Sequence, residues 1–150
     1  MTPIWHGNVD LAALNARHAD DINGHLGIEM ISYDANSLAG RMPVDRRTTQ
    51  PMGILHGGAS VVLAETLGSA AANLAVDPDR YFCVGQEVNA NHIRSVHSGY
   101  VTGTARALHL GRSTHVWGIE LRNDEGDLTC VARLTIAVVA RGDTAPRERG

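Results

Sequence analysis

The sequence predicts an α+β fold in which an antiparallel sheet wraps around one long central helix. Three observations carry that expectation. His56 to Val76 (HGGASVVLAETLGSAAANLAV) is rich in alanine and leucine and holds a single carboxylate, Glu65. A helix apolar almost all round has to be covered on most sides. The strand-like segments after it follow one another directly, which favours antiparallel pairing, since parallel neighbours need long crossovers. The length, 150 residues, suits one domain with a substantial core.

Taken in order, Val9 to Arg17 has apolar residues at helical spacing with Asp10 near its start, and reads as a short helix. His18 to Gly27 is polar and glycine-bearing, a loop or a short turn of helix. Ile28 to Tyr33 and Leu38 to Val44 read as strands joined by the turn residues Asp34-Ala35-Asn36-Ser37, hence a hairpin. Asp45 to Leu55 is a loop. The long helix then runs until Asp77-Pro78-Asp79 stops it. Tyr81 to Ala90, Tyr100 to Leu110, Thr114 to Arg122 and Leu128 to Ala140 complete the strands. In the third of these, His115, Trp117, Ile119 and Leu121 share one face by alternation, and Trp117 reads as sheet core. Residues 1–140 make one domain, and the polar tail 141–150 is expected to be disordered. A lone sheet has exposed edges and an uncovered outer face, and dimerisation is a simple remedy.

Composition narrows the function classes. With 13 basic and 16 acidic residues the net charge is −3, which argues against a nucleic-acid footprint. The 43% apolar and 19% charged fractions are those of a soluble globular chain. Two cysteines, Cys83 and Cys130, exclude a disulfide scaffold and read as reduced core thiols. The start of the chain lacks a secretory signal pattern, and Glu65 and Asn73 interrupt the longest apolar run short of a membrane span. The expected address is the cytoplasm. The histidines form no metal-binding spacing, so no metal is expected.

Glu65 is the residue out of place. Burying a carboxylate without a partner is costly. Either it marks a narrow solvated stripe of the helix, or it stands partly desolvated beside a ligand, with the small residues Gly68 and Ser69 making room. His56-Gly57-Gly58 opens the same helix. A helix N-terminus presents unsatisfied N–H groups and partial positive charge, and glycine lets a ligand approach the backbone; a polarised carbonyl could be held there. The plain alternative is a flexible helix entry. Gln50, in the preceding loop, carries an amide that can donate to a carbonyl oxygen, or is an ordinary surface residue. Gly57 and Glu65 are eight residues apart, or ~12 Å along a helix. Both cannot touch one reacting carbon at ~3 Å. If both act in one reaction they come from different subunits, and the site is shared within a dimer.

The stretch Gln50-Pro-Met-Gly-Ile-Leu-His56-Gly-Gly-Ala-Ser-Val-Val-Leu-Ala-Glu65 resembles the hotdog-fold acyl-CoA thioesterases. The likeness is to the branch of 1,4-dihydroxy-2-naphthoyl-CoA and glutamate-using 4-hydroxybenzoyl-CoA thioesterases. Val88-Asn-Ala-Asn-His-Ile-Arg-Ser95, Leu108-His-Leu-Gly-Arg112 and Val116-Trp117 match the same branch, and the similarity spans roughly Gly24 to Val139. The resemblance implies a hotdog fold, homodimers with shared sites assembled as homotetramers, and hydrolysis of an acyl-CoA, with an aromatic acyl group expected. No cofactor is implied, since CoA is part of the substrate. By matching positions, Glu65 is the catalytic carboxylate, as nucleophile or general base. The Gly57 N–H polarises the carbonyl, Gln50 assists there or orients water, His56 stands beside the thioester, and Ser69 lies near the catalytic water or acyl group. His92, Arg94, Ser95 and His109 would contact CoA, with Arg106 and Arg112 as weaker candidates. His25 would approach the acyl pocket. A menaquinone-pathway-like step and clearance of stray CoA thioesters are both compatible.

Two rival functions use the same residues. A hotdog 3-hydroxyacyl dehydratase or hydratase also needs a histidine and a carboxylate from facing subunits, but its His-Phe-Pro loop is missing. A non-catalytic acyl-CoA binding protein would keep the fold without the chemistry.

Overall fold

The structure, a computed structural model, describes residues 1–142. Two short helices, α1 (Leu11–Arg17) and α2 (Ile22–Leu26), lead into the hairpin β1 (Glu29–Tyr33) and β2 (Ser37–Pro43). The long helix α3 (Gly57–Leu74) follows, and then β3 (Tyr81–His92), β4 (Tyr100–Leu110), β5 (Thr114–Asn123) and β6 (Leu128–Ala140). The six strands form one sheet in the order β1-β2-β4-β5-β6-β3, antiparallel at every pairing. This is the expected α+β hotdog architecture, with α3 against the inner face of the sheet.

The alternation in β5 is borne out: His115, Trp117, Ile119 and Leu121 are all buried. They join Leu38, Met42, Val101, Ala105, Leu134 and Ile136 from the neighbouring strands. α3 meets this face with Ala59, Leu63, Ala64, Leu67, Ala71 and Ala72. Small residues on both sides bring helix and sheet close together. Gly40 and Gly103 pair across β2 and β4, and a Cβ on either would stand 2.8 or 2.6 Å from the Leu67 side chain. The glycine pair is thus the slot that seats Leu67. The N-terminal segment straps the far end of α3: His6 N–H donates to Leu74 O, and the Trp5 ring stacks on Trp117.

The elements depart from the sequence reading mainly at their ends. α1 begins at Leu11 rather than Val9 because Asp10 is its N-cap, accepting from the Ala13 N–H. The 18–27 segment does contain a helix, capped by Asp21 and closed by Gly27 at φ 71°. β3 runs two residues past Ala90, because β6 is long enough to pair with it as far as His92 opposite Cys130. Both cysteines are buried and unbridged, and burial pushes the Cys83 thiol up to about 11. Arg141 is tied back to Arg80 and Pro78, and the expected tail lies outside the described residues from position 143 on. No described helix is long and apolar enough to cross a membrane.

Candidate active site

The residues of the Gln50–Ser69 motif fall into two cavities along α3. The first, about 270 Å³, lies at the start of the helix and is lined by Gln50, Gly57, Ser60, His92, Arg94 and Ser95 among others. The second, about 700 Å³, runs along the middle and end of α3, with Glu65, Thr66 and Ser69 in its wall.

At the first cavity the loop before α3 is held rigidly. Thr48, almost fully buried, donates from Oγ1 to Pro43 O at 2.7 Å and accepts the His56 N–H on its own carbonyl at 2.8 Å. Gln50 N–H donates to Ile54 O, closing a tight turn. The Gln50 side-chain oxygen takes the Met52 N–H, so the NH₂ end is what Gln50 has left to offer. His56 is the N-cap of α3: its Nδ1 accepts the Gly58 N–H at 2.8 Å, which in the neutral ring leaves the proton on Nε2. Gly57 N–H, in the first turn, has no acceptor among the described residues, as helix starts dictate. The His92 ring lies over Gly57 so closely that a Cβ there would stand 2.8 Å from Nε2. His92 thus stands beside the Gly57 backbone, in the same cavity as Arg94 and Ser95.

At the second cavity Glu65 is half-buried and accepts from Ser69 Oγ, one turn on, at 3.3 Å. Its carboxylate leans on the backbone of β3: a Cβ on Gly85 would come 2.2 Å from Oε1. Gly85 sits at a bulge in the β3–β6 pairing. Asn73 docks this stretch of β3, its side chain bonding both N–H and C=O of Cys83, at 2.9 and 3.2 Å. Sequence reasoning missed Gly85 and Asn73. A glycine inside a strand pattern was the available signal, since it marks a bulge or a close approach.

The remaining expected CoA contacts divide. His92, Arg94 and Ser95 are brought together, with Arg94 exposed and only 3.9 Å from Asp127 in a surface pair. His109 is not with them in the chain. It stands nine residues beyond Tyr100 on β4, roughly 30 Å along the strand, and approaches Gly111 instead. Arg106 lines a shallow groove on the outer face of the sheet and is held by Asn36 at 3.0 Å and Asp34 at 3.6 Å. Arg112 is exposed in the β4–β5 turn. His25 does not line the second cavity, whereas His18 does.

Residues 52–130 match the thioesterase superfamily. The chain is 57% identical to the esterase PA1618 of Pseudomonas aeruginosa over 91% of its own length and 94% of that protein's. It is 46% identical to the 1,4-dihydroxy-2-naphthoyl-CoA hydrolase of Escherichia coli K12, over 91% and 99% of the two chains. The crystal structure of thioesterase HI1161 from Haemophilus influenzae superposes with a TM-score of 0.92 at 42% identity, over 95% and 99% of the two chains.

Proposed function

The chain belongs to the thioesterase superfamily and is a thioester hydrolase, and on that premise we propose that it cleaves an aromatic acyl-CoA to the free acid and CoA at a site shared between two copies of the chain. The observation that carries this reading is the separation of the motif into two cavities. Carbonyl donors cluster at the start of α3, and the carboxylate stands apart, against the exposed edge strand β3. Pairing two β3 strands antiparallel, centred between Val88 and Asn89, sets His92 of one chain opposite the partner's Gly85. The Gly57 end of one helix then meets the partner's Glu65. The same pairing covers the free edge that β3 leaves.

In the assembled site the Gly57 N–H, at the positive end of α3, holds the thioester oxygen, and the Gln50 NH₂ adds a second donor. Charge that develops on that oxygen during attack is stabilised there. Glu65 then serves in one of two ways. As a general base it takes a proton from water while the water oxygen bonds to the carbonyl carbon; the C–S bond breaks and the proton passes to sulfur. As a nucleophile it forms an acyl anhydride, releasing the CoA thiolate to be protonated, and water then hydrolyses the anhydride. The Ser69 hydroxyl orients the carboxylate in either route.

The second cavity is large enough for a bicyclic acyl group and presents Leu14, Ala70, Leu74, Val76 and Phe82 to it. The E. coli relative named for a naphthoyl-CoA points the same way. His92, Arg94 and Ser95 are assigned to the CoA side, and we place the enzyme in the cytoplasm as a homotetramer of two such dimers. The test is thiol release from benzoyl-, naphthoyl-, phenylacetyl- and hexanoyl-CoA by native protein and Glu65→Ala. Release by the native protein, about 10³-fold slower in the mutant while binding persists, is the expected result. Equal rates would remove Glu65 from the reaction, and no release from any substrate would return the weight to a binding protein.

A further inference from the structure

The wall of the second cavity opposite β3 is made by α1 and α2, and it is attached in an unusual way. α1 buries no residue, and α2 buries only a polar one, Asn23, at 6% exposure. The segment is held by two asparagines. Asn15 pairs with both backbone groups of Met30 on the edge strand β1, at 2.8 and 2.9 Å. Asn23 accepts the Thr66 hydroxyl at 2.6 Å, and Thr66 is the residue next to Glu65 on α3. The Asn23 amide also donates to Asp21 Oδ1 at 2.9 Å, and Asp21 Oδ2 meets His18 Nδ1 at 2.6 Å. Leu14, Arg17, His18 and Asn23 from this segment line the same cavity as Glu65, Thr66 and Ser69. Leu11, Leu14 and Leu26 touch the core but are only partly buried, and a wall with so little fully buried apolar surface, tied down by hydrogen bonds, belongs to the low-stability end of a structure. Asn23 and Thr66 are 43 residues apart, so their bond fixes where that wall stands relative to the catalytic carboxylate.

We propose that the Thr66–Asn23 hydrogen bond is a specificity latch: it seats the α1–α2 wall over α3 and so sets the size of acyl group accepted beside Glu65. Both residues act by positioning. This rests on the assignment of Glu65's cavity to the acyl group. With the latch closed, as it is here, the wall limits the cavity to an acyl group of about bicyclic size. With the hydroxyl gone, the wall loosens and larger acyl groups gain relative to smaller ones.

The experiment compares native protein, Thr66→Val, which keeps the shape and removes the hydroxyl, and Thr66→Ser, which restores it. In Thr66→Val, the ratio of kcat/KM for the tricyclic 2-anthroyl-CoA to that for 2-naphthoyl-CoA rises about tenfold, the weight of one lost hydrogen bond. Inhibition by free CoA stays unchanged, and Thr66→Ser keeps the native ratio. A uniform loss on both substrates, or the same ratio in Thr66→Val and Thr66→Ser, overturns the latch. Amide hydrogen exchange gives a second reading that needs no substrate. Residues 11–27 should exchange faster in Thr66→Val while β5 and β6 do not change; unchanged exchange in 11–27 also overturns it. If native protein releases no thiol at all, the assignment of the cavity has failed, and the exchange result still decides the latch.

Discussion

At its first turn α3 offers a cavity backbone N–H groups flanked by two rings, His56 and His92; eight residues on, it offers a carboxylate set between Ser69 and Gly85. The first arrangement follows from helix geometry. Any α-helix start leaves N–H groups unpaired, and this one needs only a cap, His56, and a residue without a Cβ, Gly57. The second follows from tertiary packing. Nothing in a helix places a carboxylate against a strand; that takes a bulge at Gly85, Asn73 docking β3, and Ser69 one turn away. Polarising a carbonyl can be left to the backbone, while aiming a base or nucleophile depends on distant parts of the chain agreeing.

The sharpest way to separate the two ends is to delete the backbone donor without disturbing the helix. Proline is favoured at the first helical position, and His56, at φ −68° and ψ 130°, already has the conformation that precedes proline. Gly57→Pro should keep the helical circular dichroism and lower kcat by roughly 10²–10³-fold. Gly57→Ala, which retains the N–H and only obliges the exposed His92 ring to swing aside, should lose far less. If proline and alanine cost the same, the N–H has no role and the crowding of His92 explains both.

The other end is probed by Gly85→Ala. The new Cβ would overlap Glu65 Oε1, and a displacement of about 1 Å at a reacting group can cost about 10²-fold in rate. The expected outcome is a fall of that order in kcat with the melting temperature nearly unchanged. Full activity would mean that Glu65 works from a different rotamer.

The smallest effect concerns a buried histidine that lines neither cavity. His115 is 4% exposed, and burial, with His109 nearby, holds its pKa below the ordinary histidine range. Below about pH 6.5 the unfolded chain takes up a proton that the folded chain resists, so stability falls with decreasing pH until the folded-state value is passed. His115→Leu should show a shallower loss of melting temperature between pH 7 and pH 5, with kcat at neutral pH unchanged. An equally steep loss would assign the acid sensitivity elsewhere.

Much of this was legible in the chain. The long helix is found within two residues of its expected ends, and the β5 face alternates as read. The distance between Gly57 and Glu65 follows from the rise of a helix alone, so the division of the motif between two cavities could be anticipated. What was not legible depends on strand register and long-range contact. His109 and Arg106 lie in stretches that match the family, but which end or face of the sheet they reach is set by how β4 pairs with β2 and β5. The Thr66–Asn23 bond joins residues whose local sequence contexts have nothing in common.

The shared site is the central claim, and mixing inactive subunits tests it most directly. Gly57→Pro and Glu65→Ala proteins are each nearly inactive alone. Mixed in equal amounts and allowed to exchange, with mixed dimers verified by native mass spectrometry, half the dimers carry both variants. If each site takes Gly57 from one chain and Glu65 from the other, one site in every mixed dimer is intact, and about a quarter of native activity returns. Verified mixed dimers that stay as inactive as their parents would contradict the shared site and place Gly57 and Glu65 in separate roles within one chain.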